Sequence, residues 1–439
     1  MYAGGVAGLR NLCRHRRNAT GRSFSIVTRV CNETSAQTMT QLLSLNSKKI
    51  SSQVLAGTFL DSSLPQPRDL SSISKSVRDS YLRLRLPLGS DVVLRNSFIN
   101  SSGFIRVGKL LEELDLFAGS VALLHCDDGD VSHGMPALVT AAFDRVDLLK
   151  HPLISDVDLI FSGAVTYVGR SSLNVEVELA TSEGQLVFTA STTFVARNGA
   201  AGGSIAVPQL VPTTGVEHSL YEAGRAASEA RRKVASSSLL RSPPSAEELS
   251  ILHKLFLDSS ETAGAGWARM PLRNSLGADI FSDETRLTST LVTMPQDRNI
   301  YGRIFGGWLM RVAYEAAWAC GWRATQAPPR FLALDSVVFS APVEIGTLLQ
   351  LDAQIAYSDP LSNAFTVTVD AAMSMPGRRS DQHTNQFSFV FERGPTPGAS
   401  LPRFIPRTYA EGLALLEARR RHTGLVRESK LKRSVFPWD

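Results

Sequence analysis

The chain carries two related segments, NIYGRIFGG at residues 299–307 and NSSGFIRVG at residues 100–108. They align without a gap at an offset of 199 residues, which places Asn299 on Asn100 and Gly307 on Gly108. In each copy, a polar loop that contains glycine leads into an apolar segment with helical periodicity. The two segments therefore predict that the chain contains one structural unit twice.

The sequence that follows each segment also repeats in the same order. A long helix is predicted at 109–125 and again at 308–320, and alternating apolar and polar strands follow, for example at 173–179 and 365–369. Downstream, ALDSV at residues 333–337 corresponds to AFDRV at residues 142–146. One long helix with four or five strands, present twice, predicts an α+β fold in which each antiparallel sheet wraps its own central helix.

The first 60 residues differ in composition from the rest of the chain. They contain eight Arg and Lys residues but only one acidic residue, Glu33, and they are rich in serine. Such a composition is typical of a mitochondrial transit peptide, with cleavage expected after Phe24, and a disordered N-terminal tail is the alternative. The remainder is close to neutral, so the overall charge of +5 does not indicate a nucleic-acid surface.

Composition limits the remaining classes of protein. With 439 residues and 43% apolar content, the chain is expected to form two or three globular domains. No apolar run approaches the ~18 residues that a transmembrane helix needs. The four cysteines (Cys13, Cys31, Cys126 and Cys320) have neither paired nor metal-type spacing, so we expect a reduced protein without disulfides, zinc or any other metal.

The predicted domains follow from these features. They are 1–24 transit peptide, 25–76 low-complexity N-terminal segment, 77–197 first α+β domain, 198–284 linker with connector helices, 285–394 second α+β domain and 395–439 C-terminal tail. A capping box from Ser245 to Glu248 is expected to begin one connector helix, and a second is predicted at 217–240.

Two stretches of the second half carry a family resemblance. GGWLM at residues 306–310, followed by ALDSVVFSAPVEIG at residues 333–346, resembles the hot-dog thioesterase signature. Over residues 77–422 the chain is similar to the mitochondrial acyl-CoA thioesterase 9 type, with matching stretches such as VRDSY at 77–81 and RVAYE at 311–315. The resemblance implies tandem hot-dog domains, cofactor-free hydrolysis of acyl-CoA in the mitochondrial matrix, and a homotrimer of double hot-dog chains.

Thioester hydrolysis needs an activated water or nucleophile and hydrogen-bond donors for the developing oxyanion. Free backbone N–H groups at a helix N-terminus are suitable donors. Gly306 and Gly307 lack Cβ atoms and would let a thioester oxygen approach the backbone. The alternative is that these glycines only permit close packing of the helix on the sheet.

An acidic residue interrupts the apolar face of the first predicted helix. Leu111, Asp115, Ala118 and Ala122 form one stripe, and a charge on such a stripe is costly unless it is paired or used. The neighbouring Glu112 and Glu113 are expected to be solvated. On the second helix, the position equivalent to Asp115 holds Tyr314, next to Glu315. Glu315 could form an ordinary helical ion pair with Arg311.

The resemblance also implies how these residues combine. Asp115 stands seven residues after Gly108, the position of the catalytic aspartate in related hot-dog enzymes, where the aspartate of one unit serves the loop of the other. One site would thus combine Asp115 with Asn299 and Gly307, with Asp115 acting as general base or nucleophile. The reciprocal site would be degraded, since it offers the residues Asn100, Gly108, Tyr314 and Glu315. Possible substrate-binding residues are Gly306 and three arginines that could contact CoA phosphates, namely Arg298, Arg303 and Arg106.

Two other functions are compatible with such a fold. A hot-dog hydratase would use a histidine beside the acid, and no histidine lies at 299–321 or 100–124. A non-catalytic acyl-CoA-binding or regulatory module would need no acid on either helix, which Asp115 argues against.

Overall fold

A computed structural model of the chain describes residues 67–130, 132–149, 153, 155–198, 203–236, 238–239, 242–261, 279–299, 301–335, 337–375, 377, 380–395, 400–428 and 436. The predicted transit peptide, with its cleavage site and the cysteines Cys13 and Cys31, lies outside the described residues. None of the helices in the described part of the chain has both the length and the apolarity needed to span a membrane.

Within its described residues, the first repeat contains eight strands and three α-helices. The strands are β1 (Ser74–Lys75), β2 (Leu82–Leu86), β3 (Ala137–Phe143), β4 (Val146–Leu148), β5 (Leu159–Val168), β6 (Ser172–Thr181), β7 (Leu186–Arg197) and β8 (Gln209–Leu210), and the helices are α1 (Val92–Phe98), α2 (Val107–Cys126) and α3 (Gly215–Ser236). The long helix α2 packs across β3, β5, β6 and β7. Its predicted stripe is confirmed, because Leu111, Asp115, Ala118 and Ala122 are all buried.

The second repeat has the same order of elements, except that a short 3-10 helix, Pro295–Asp297, takes the place of α1. A connector helix α4 (Ala246–Glu261) precedes it, and its strands are β9 (Asp279–Phe281), β10 (Leu287–Val292), β11 (Pro329–Leu334), β12 (Val337–Phe339), β13 (Leu348–Asp359), β14 (Ala364–Ser374), β15 (Gln382–Arg393) and β16 (Arg403–Ile405). Its helices are α5 (Gly306–Thr325) and α6 (Tyr409–Glu428). The capping box is confirmed, since Ser245 and Glu248 exchange hydrogen bonds at the start of α4.

Both central helices are longer than the predicted segments. Helix α5 begins at Gly306, so the two glycines belong to its first turn rather than to the preceding loop. It ends where Gln326 adopts a left-handed conformation with φ of 54°, a common way to terminate a helix. The consequence is that the backbone N–H groups of the glycines lie in the first turn, where no carbonyl group of the helix itself accepts them.

The strands of the two repeats join into one twelve-stranded sheet. Ten of them follow the path β10-β13-β14-β15-β11-β4-β7-β6-β5-β2. The other two lie off this path, where β12 pairs with β15 and β3, and β3 also pairs with β7. The seam is formed by β11 against β4, where Leu334 pairs with Val146, and by β12 against β3, where Val338 pairs with Ala142. Helices α2 and α5 contact each other across this seam. The predicted α+β fold of tandem hot-dog domains is confirmed.

The structural repeat extends beyond the predicted domain boundaries. Strand β1 pairs in parallel with β8, and β9 pairs in parallel with β16 in the same way. Helices α3 and α6 then cover β5 and β13. Ser80 and Thr285 accept equivalent hydrogen bonds from Val165 and Ile355 of these strands. Parts of the predicted N-terminal segment, linker and C-terminal tail are therefore repeated elements of the fold.

Candidate active site

Asp115 of the first repeat meets the N-terminus of helix α5 in the second repeat. Its Oδ2 atom accepts a hydrogen bond from the backbone N–H of Gly307 at 2.6 Å. Its Oδ1 atom accepts one from the hydroxyl of Thr140 on β3 at 2.9 Å. The Asp115 side chain is nearly inaccessible to solvent, since the residue is 1% exposed. The structure thus places a buried carboxylate against one backbone donor across the seam and one hydroxyl donor of its own repeat.

The two glycines make this approach possible. A Cβ atom on Gly307 would lie 2.8 Å from the backbone oxygen of Glu112 and 3.0 Å from the Cβ of Asp115. A Cβ atom on Gly306 would lie 3.0 Å from Oδ2 of Asp115 and 3.4 Å from the ring of Phe339. Any side chain at Gly307 would therefore push the two helices apart at the carboxylate. The absence of Cβ atoms at the two glycines therefore permits both the close packing of the helices and the contact of Asp115 with the backbone N–H of Gly307.

Burial sets the electrostatics of the carboxylate. Loss of hydration raises the pKa of Asp115 from its ordinary 3.8 to about 7, while the hydrogen bonds from Thr140 and Gly307 lower it in part. The partial positive charge of the α5 N-terminus also favours the ionised form. A carboxylate with a pKa near neutrality is suited to accept a proton in catalysis.

Glu113 was predicted to be solvated, and that prediction is wrong. It is only 8% exposed, and burial raises its pKa to about 7. Glu112 is half-buried and forms ion pairs with Lys109 at 2.6 Å and with Arg311 at 3.1 Å. The contact between α2 and α5 involves Glu112. The periodicity of α2 alone did not indicate that Glu113 is buried.

Thr140 is the residue of this site that the sequence analysis missed. It precedes an irregularity in the pairing of β3 with β7, between Thr140 and Ala142, and β11 has the same irregularity between Phe331 and Ala333. Thr140 is therefore equivalent to Phe331 of the second repeat. The sequence feature that could have identified Thr140 is the difference between the repeats at this position, which is polar in the first repeat and aromatic (Phe331) in the second.

Asn299 organises the loop that leads into α5. Its side-chain oxygen accepts hydrogen bonds from the backbone N–H groups of Tyr301 at 2.9 Å and Arg303 at 3.1 Å. Gly302 allows the tight turn, with φ of 71°. The oxygen is thus occupied within the loop, which leaves the amide NH₂ as the group of Asn299 that could serve a substrate. Among the described contacts, none joins Asn299 directly to Asp115.

The reciprocal position keeps the loop but has no acid beside Gly108. Asn100 accepts the equivalent hydrogen bonds from Ser102 at 2.9 Å and Phe104 at 3.1 Å. A Cβ atom on Gly108 would lie 3.2 Å from the ring of Tyr314. The carboxylate of Asp115 is thus replaced, in space, by a phenol.

An aromatic cluster surrounds Tyr314. Its ring centroid lies 5.6 Å from Phe331, 5.7 Å from Phe389 and 5.9 Å from Phe391. Burial raises the pKa of Tyr314, so its hydroxyl stays protonated. The Asp115–Thr140 pair of the first repeat therefore corresponds to the Tyr314–Phe331 pair of the second, and both polar groups have been exchanged for aromatic rings.

Glu315 points away from this cluster. It is exposed and forms an ion pair with Arg106 of the first repeat at 2.5 Å. The suggested helical pair between Glu315 and Arg311 is wrong, because Arg311 instead turns to Glu112 across the contact between α2 and α5. Arg106 is consequently engaged at the reciprocal position rather than free for a phosphate.

The other two candidate arginines flank the loop of Asn299. Arg303 is exposed and forms an ion pair with Glu344. Arg298 is exposed, and no ion pair between it and another described residue is present. Within the described ranges, no group of three histidine, cysteine, aspartate or glutamate side chains converges as a metal site would require.

The fold and this site define a tandem hot-dog protein with one buried carboxylate at an inter-domain helix terminus. No protein-family model matches the chain. Mouse mitochondrial acyl-coenzyme A thioesterase 9 is 31% identical over 363 residues, which cover 82% of this chain and 81% of the relative. Mitochondrial acyl-coenzyme A thioesterase 4 of Humulus lupulus is 33% identical over 367 residues, covering 80% of this chain and 68% of the relative.

This identity over most of both chains shows that the chain belongs to the mitochondrial acyl-CoA thioesterase 9 family of thioester hydrolases. The predicted family is confirmed, and the names of these relatives agree with a mitochondrial location.

Solved structures give shorter or looser matches. An acyl-CoA hydrolase from Staphylococcus aureus, in complex with butyryl coenzyme A and coenzyme A, matches with a TM-score of 0.32 and 22% identity, over 35% of this chain and 94% of that one. An acyl-ACP thioesterase from Bacteroides thetaiotaomicron matches with a TM-score of 0.39 and 11% identity, over 72% of this chain and all of that one.

Proposed function

We propose that this chain hydrolyses acyl-CoA thioesters to free acid and CoA at one composite site between its two domains. The observation that supports this proposal best is the contact between the buried carboxylate of Asp115 and the N–H of Gly307, at 2.6 Å. A carboxylate used only to cap a helix would ordinarily lie at the surface, where its charge remains hydrated. Here the charge is buried, and its pKa is raised to about 7.

In the proposed reaction, the thioester carbonyl lies at the N-terminus of α5. Its oxygen takes over the N–H of Gly307, which stabilises the negative charge that develops as the carbonyl is attacked. Asp115 loses one hydrogen bond by this exchange, and its carboxylate becomes a stronger base. It either removes a proton from the attacking water or attacks the carbonyl carbon itself. In the first case, the C–S bond of the tetrahedral intermediate breaks, and the CoA thiolate takes up the proton that Asp115 has accepted. In the second case, the C–S bond breaks as an acyl anhydride of Asp115 forms. Water then hydrolyses this anhydride to free acid and the Asp115 carboxylate, and the remaining proton of the water passes to the thiolate.

Asn299 would hold the water or the thioester with its amide NH₂, since its oxygen is engaged in the loop. Arg298, in the same loop, is the first candidate for a CoA phosphate, because Arg303 and Arg106 already form ion pairs. The reciprocal position is proposed to be inactive, since Tyr314 supplies neither a base nor a nucleophile at neutral pH.

The test is Asp115→Asn, which removes the charge, keeps one oxygen that can accept from the N–H of Gly307, and replaces the other oxygen by an NH₂ group. We expect kcat to fall at least ~10²-fold, as is typical when a general base is lost. Glu315→Gln is the matched control, because it neutralises the acid on the other central helix, and it should retain nearly full activity. Steady-state assays with acyl-CoAs of graded chain length measure both variants. Equal damage from the two substitutions would contradict a single composite site.

We further propose that the mature protein is located in the mitochondrial matrix and begins near Ser25. The arginine-bearing, acid-poor leader supports this proposal. N-terminal sequencing of the protein isolated from mitochondria checks it, and an intact Met1 would contradict it. Assembly into homotrimers is proposed on the family resemblance.

A further inference from the structure

Tyr301 connects the loop of Asn299 to the opposite domain. Its side chain is buried, with 9% exposure of the residue. The hydroxyl oxygen accepts a hydrogen bond from the backbone N–H of Leu138 on β3 at 2.9 Å and lies 3.5 Å from the carbonyl oxygen of Pro136. Strand β12 pairs with β3 only at Ala142 and Phe143. Tyr301 therefore satisfies a buried backbone donor that β12 does not reach.

This hydrogen bond connects the two elements that form the proposed site. The backbone N–H of Tyr301 bonds to the side chain of Asn299 at 2.9 Å. On the other side, Leu138 lies two residues before Thr140, which holds Asp115 at 2.9 Å. Residues two apart on a strand share a face. Tyr301 thus links the element that carries Asn299 to the element that supports Asp115, although these two residues do not touch.

The reciprocal position lacks both ends of this link. At the offset of 199, the residue equivalent to Tyr301 is Ser102, whose side chain is far shorter. The residue equivalent to Leu138 is Pro329, because Leu138 pairs with Ala196 as Pro329 pairs with Arg393, just before the shared irregularity in each strand. Proline has no N–H to donate. The link is therefore present only where the carboxylate is present.

We propose that Tyr301 is a positioning residue, which sets the distance between the Asn299 loop and the Asp115 carboxylate through its hydrogen bond to Leu138. This inference rests on the proposed composite site. A displacement of the loop by about 1 Å is enough to reduce the rate of a reaction up to ~10²-fold. Apart from a contact of Arg298, which belongs to this loop, binding of CoA would be affected less. The expected signature is a loss in kcat with a nearly unchanged KM.

Tyr301→Phe tests this link, because it removes only the hydroxyl and keeps the buried ring. We expect kcat to fall about 10-fold, with KM changed less than about 3-fold, as follows when an interaction acts mainly on the transition state. Tyr357→Phe is the matched control. This substitution also removes a hydrogen-bonded hydroxyl, which contacts Arg419 of α6 away from the site. The kcat of the Tyr357→Phe variant should equal that of the wild type.

A double-mutant cycle separates positioning from a general structural effect. If Tyr301 acts by placing Asn299, then Tyr301→Phe should cause no further loss of kcat in an Asn299→Ala background. An equal loss in both backgrounds would overturn the proposal, and so would wild-type kcat in Tyr301→Phe alone. These outcomes can be distinguished from failure of the proposed composite site. If the composite site were wrong, the Asp115→Asn variant would keep full activity.

Discussion

Asp115 lies at full burial against two hydrogen-bond donors, and its raised pKa has a consequence for the pH dependence of activity. The carboxylate must be ionised to act, and its pKa in the free protein is about 7. We therefore expect kcat/KM, which reports ionisations of the free enzyme, to rise with pH up to about 7 and to level off above it. A profile that is flat across pH 7 would argue against Asp115 as the base.

Thr140→Val and Glu113→Gln refine this measurement. Thr140→Val removes a hydrogen bond that lowers the pKa of Asp115. The acid limb of the profile, which is the part where kcat/KM rises with pH, should therefore move to higher pH. Glu113 has a pKa of similar value, raised by burial, but it makes no contact with Gly307 among the described hydrogen bonds. Glu113→Gln should therefore leave the acid limb in place, and a shift there would assign the ionisation to Glu113.

The same pKa shift affects stability. Because the pKa of Asp115 is higher in the folded protein than the ordinary 3.8, burial of this group costs least below pH ~4, and the cost grows as pH rises to about 7. Asp115→Asn removes that cost. Its free energy of unfolding above pH 7 should be no lower than that of the wild type, as measured by urea denaturation.

The two equivalent asparagines provide an internal comparison. Asn299 and Asn100 make the same two backbone hydrogen bonds in their loops, so replacing either by alanine should perturb its loop to a similar degree. Only Asn299 lies in the loop of the helix that meets a carboxylate. We expect Asn299→Ala to lower kcat about as much as Asp115→Asn, and Asn100→Ala to lower it little. Comparable losses in both variants would indicate two working sites.

At the scale of elements, the contact between α2 and α5 depends on glycines of unequal importance. A Cβ atom on Gly307 would lie 2.8 Å from the backbone oxygen of Glu112. A Cβ atom on Gly108 would lie 3.2 Å from side-chain atoms of Arg311 and Tyr314, and its nearest backbone atom, the oxygen of Arg311, would be at an ordinary contact distance of 3.5 Å. Side chains can adjust, but a helix backbone must move as a whole. Gly307→Ala should therefore cost about 1–3 kcal/mol of stability.

We also expect Gly307→Ala to lower kcat, because the carboxylate and the helix N-terminus would separate. Gly108→Ala should have a smaller effect on both quantities, as measured by denaturant unfolding and steady-state kinetics on the same preparations. If Gly108→Ala destabilises the protein as much as Gly307→Ala, the helix contact is not asymmetric in the way the packing indicates.

At the scale of the whole molecule, the twelve-stranded sheet already joins the two domains as a pair within one chain. Further association then requires other surfaces. From the family resemblance we expect a trimer with three times the chain mass of 47.6 kDa, less the leader. Light scattering on the purified mature protein measures this mass. A strict monomer at micromolar concentration would contradict the expectation.

Much of the architecture could be predicted from the sequence, because it depends on local periodicity, and the same periodic pattern occurs in both halves of the chain. The offset of 199 residues exposed the repeat, and the polar interruption of an apolar stripe at Asp115 identified the buried carboxylate. The tyrosine at position 314, which is equivalent to Asp115 on the second helix, likewise predicted that the two helix contacts differ. Each of these features is a property of neighbouring residues on one element.

Only the tertiary structure decided which groups meet across the seam. Thr140 and Tyr301 reach the site from a strand and a loop, and neither belongs to a periodic pattern that marks it as functional. The flanking strands β1, β8, β9 and β16 are two or three residues long, too short to show periodicity, and they form because distant segments pair. Ion-pair partners were also beyond the sequence, since Arg106 pairs with Glu315 across 209 residues. Contacts of this kind depend on the packing of one element against another, which local sequence does not specify.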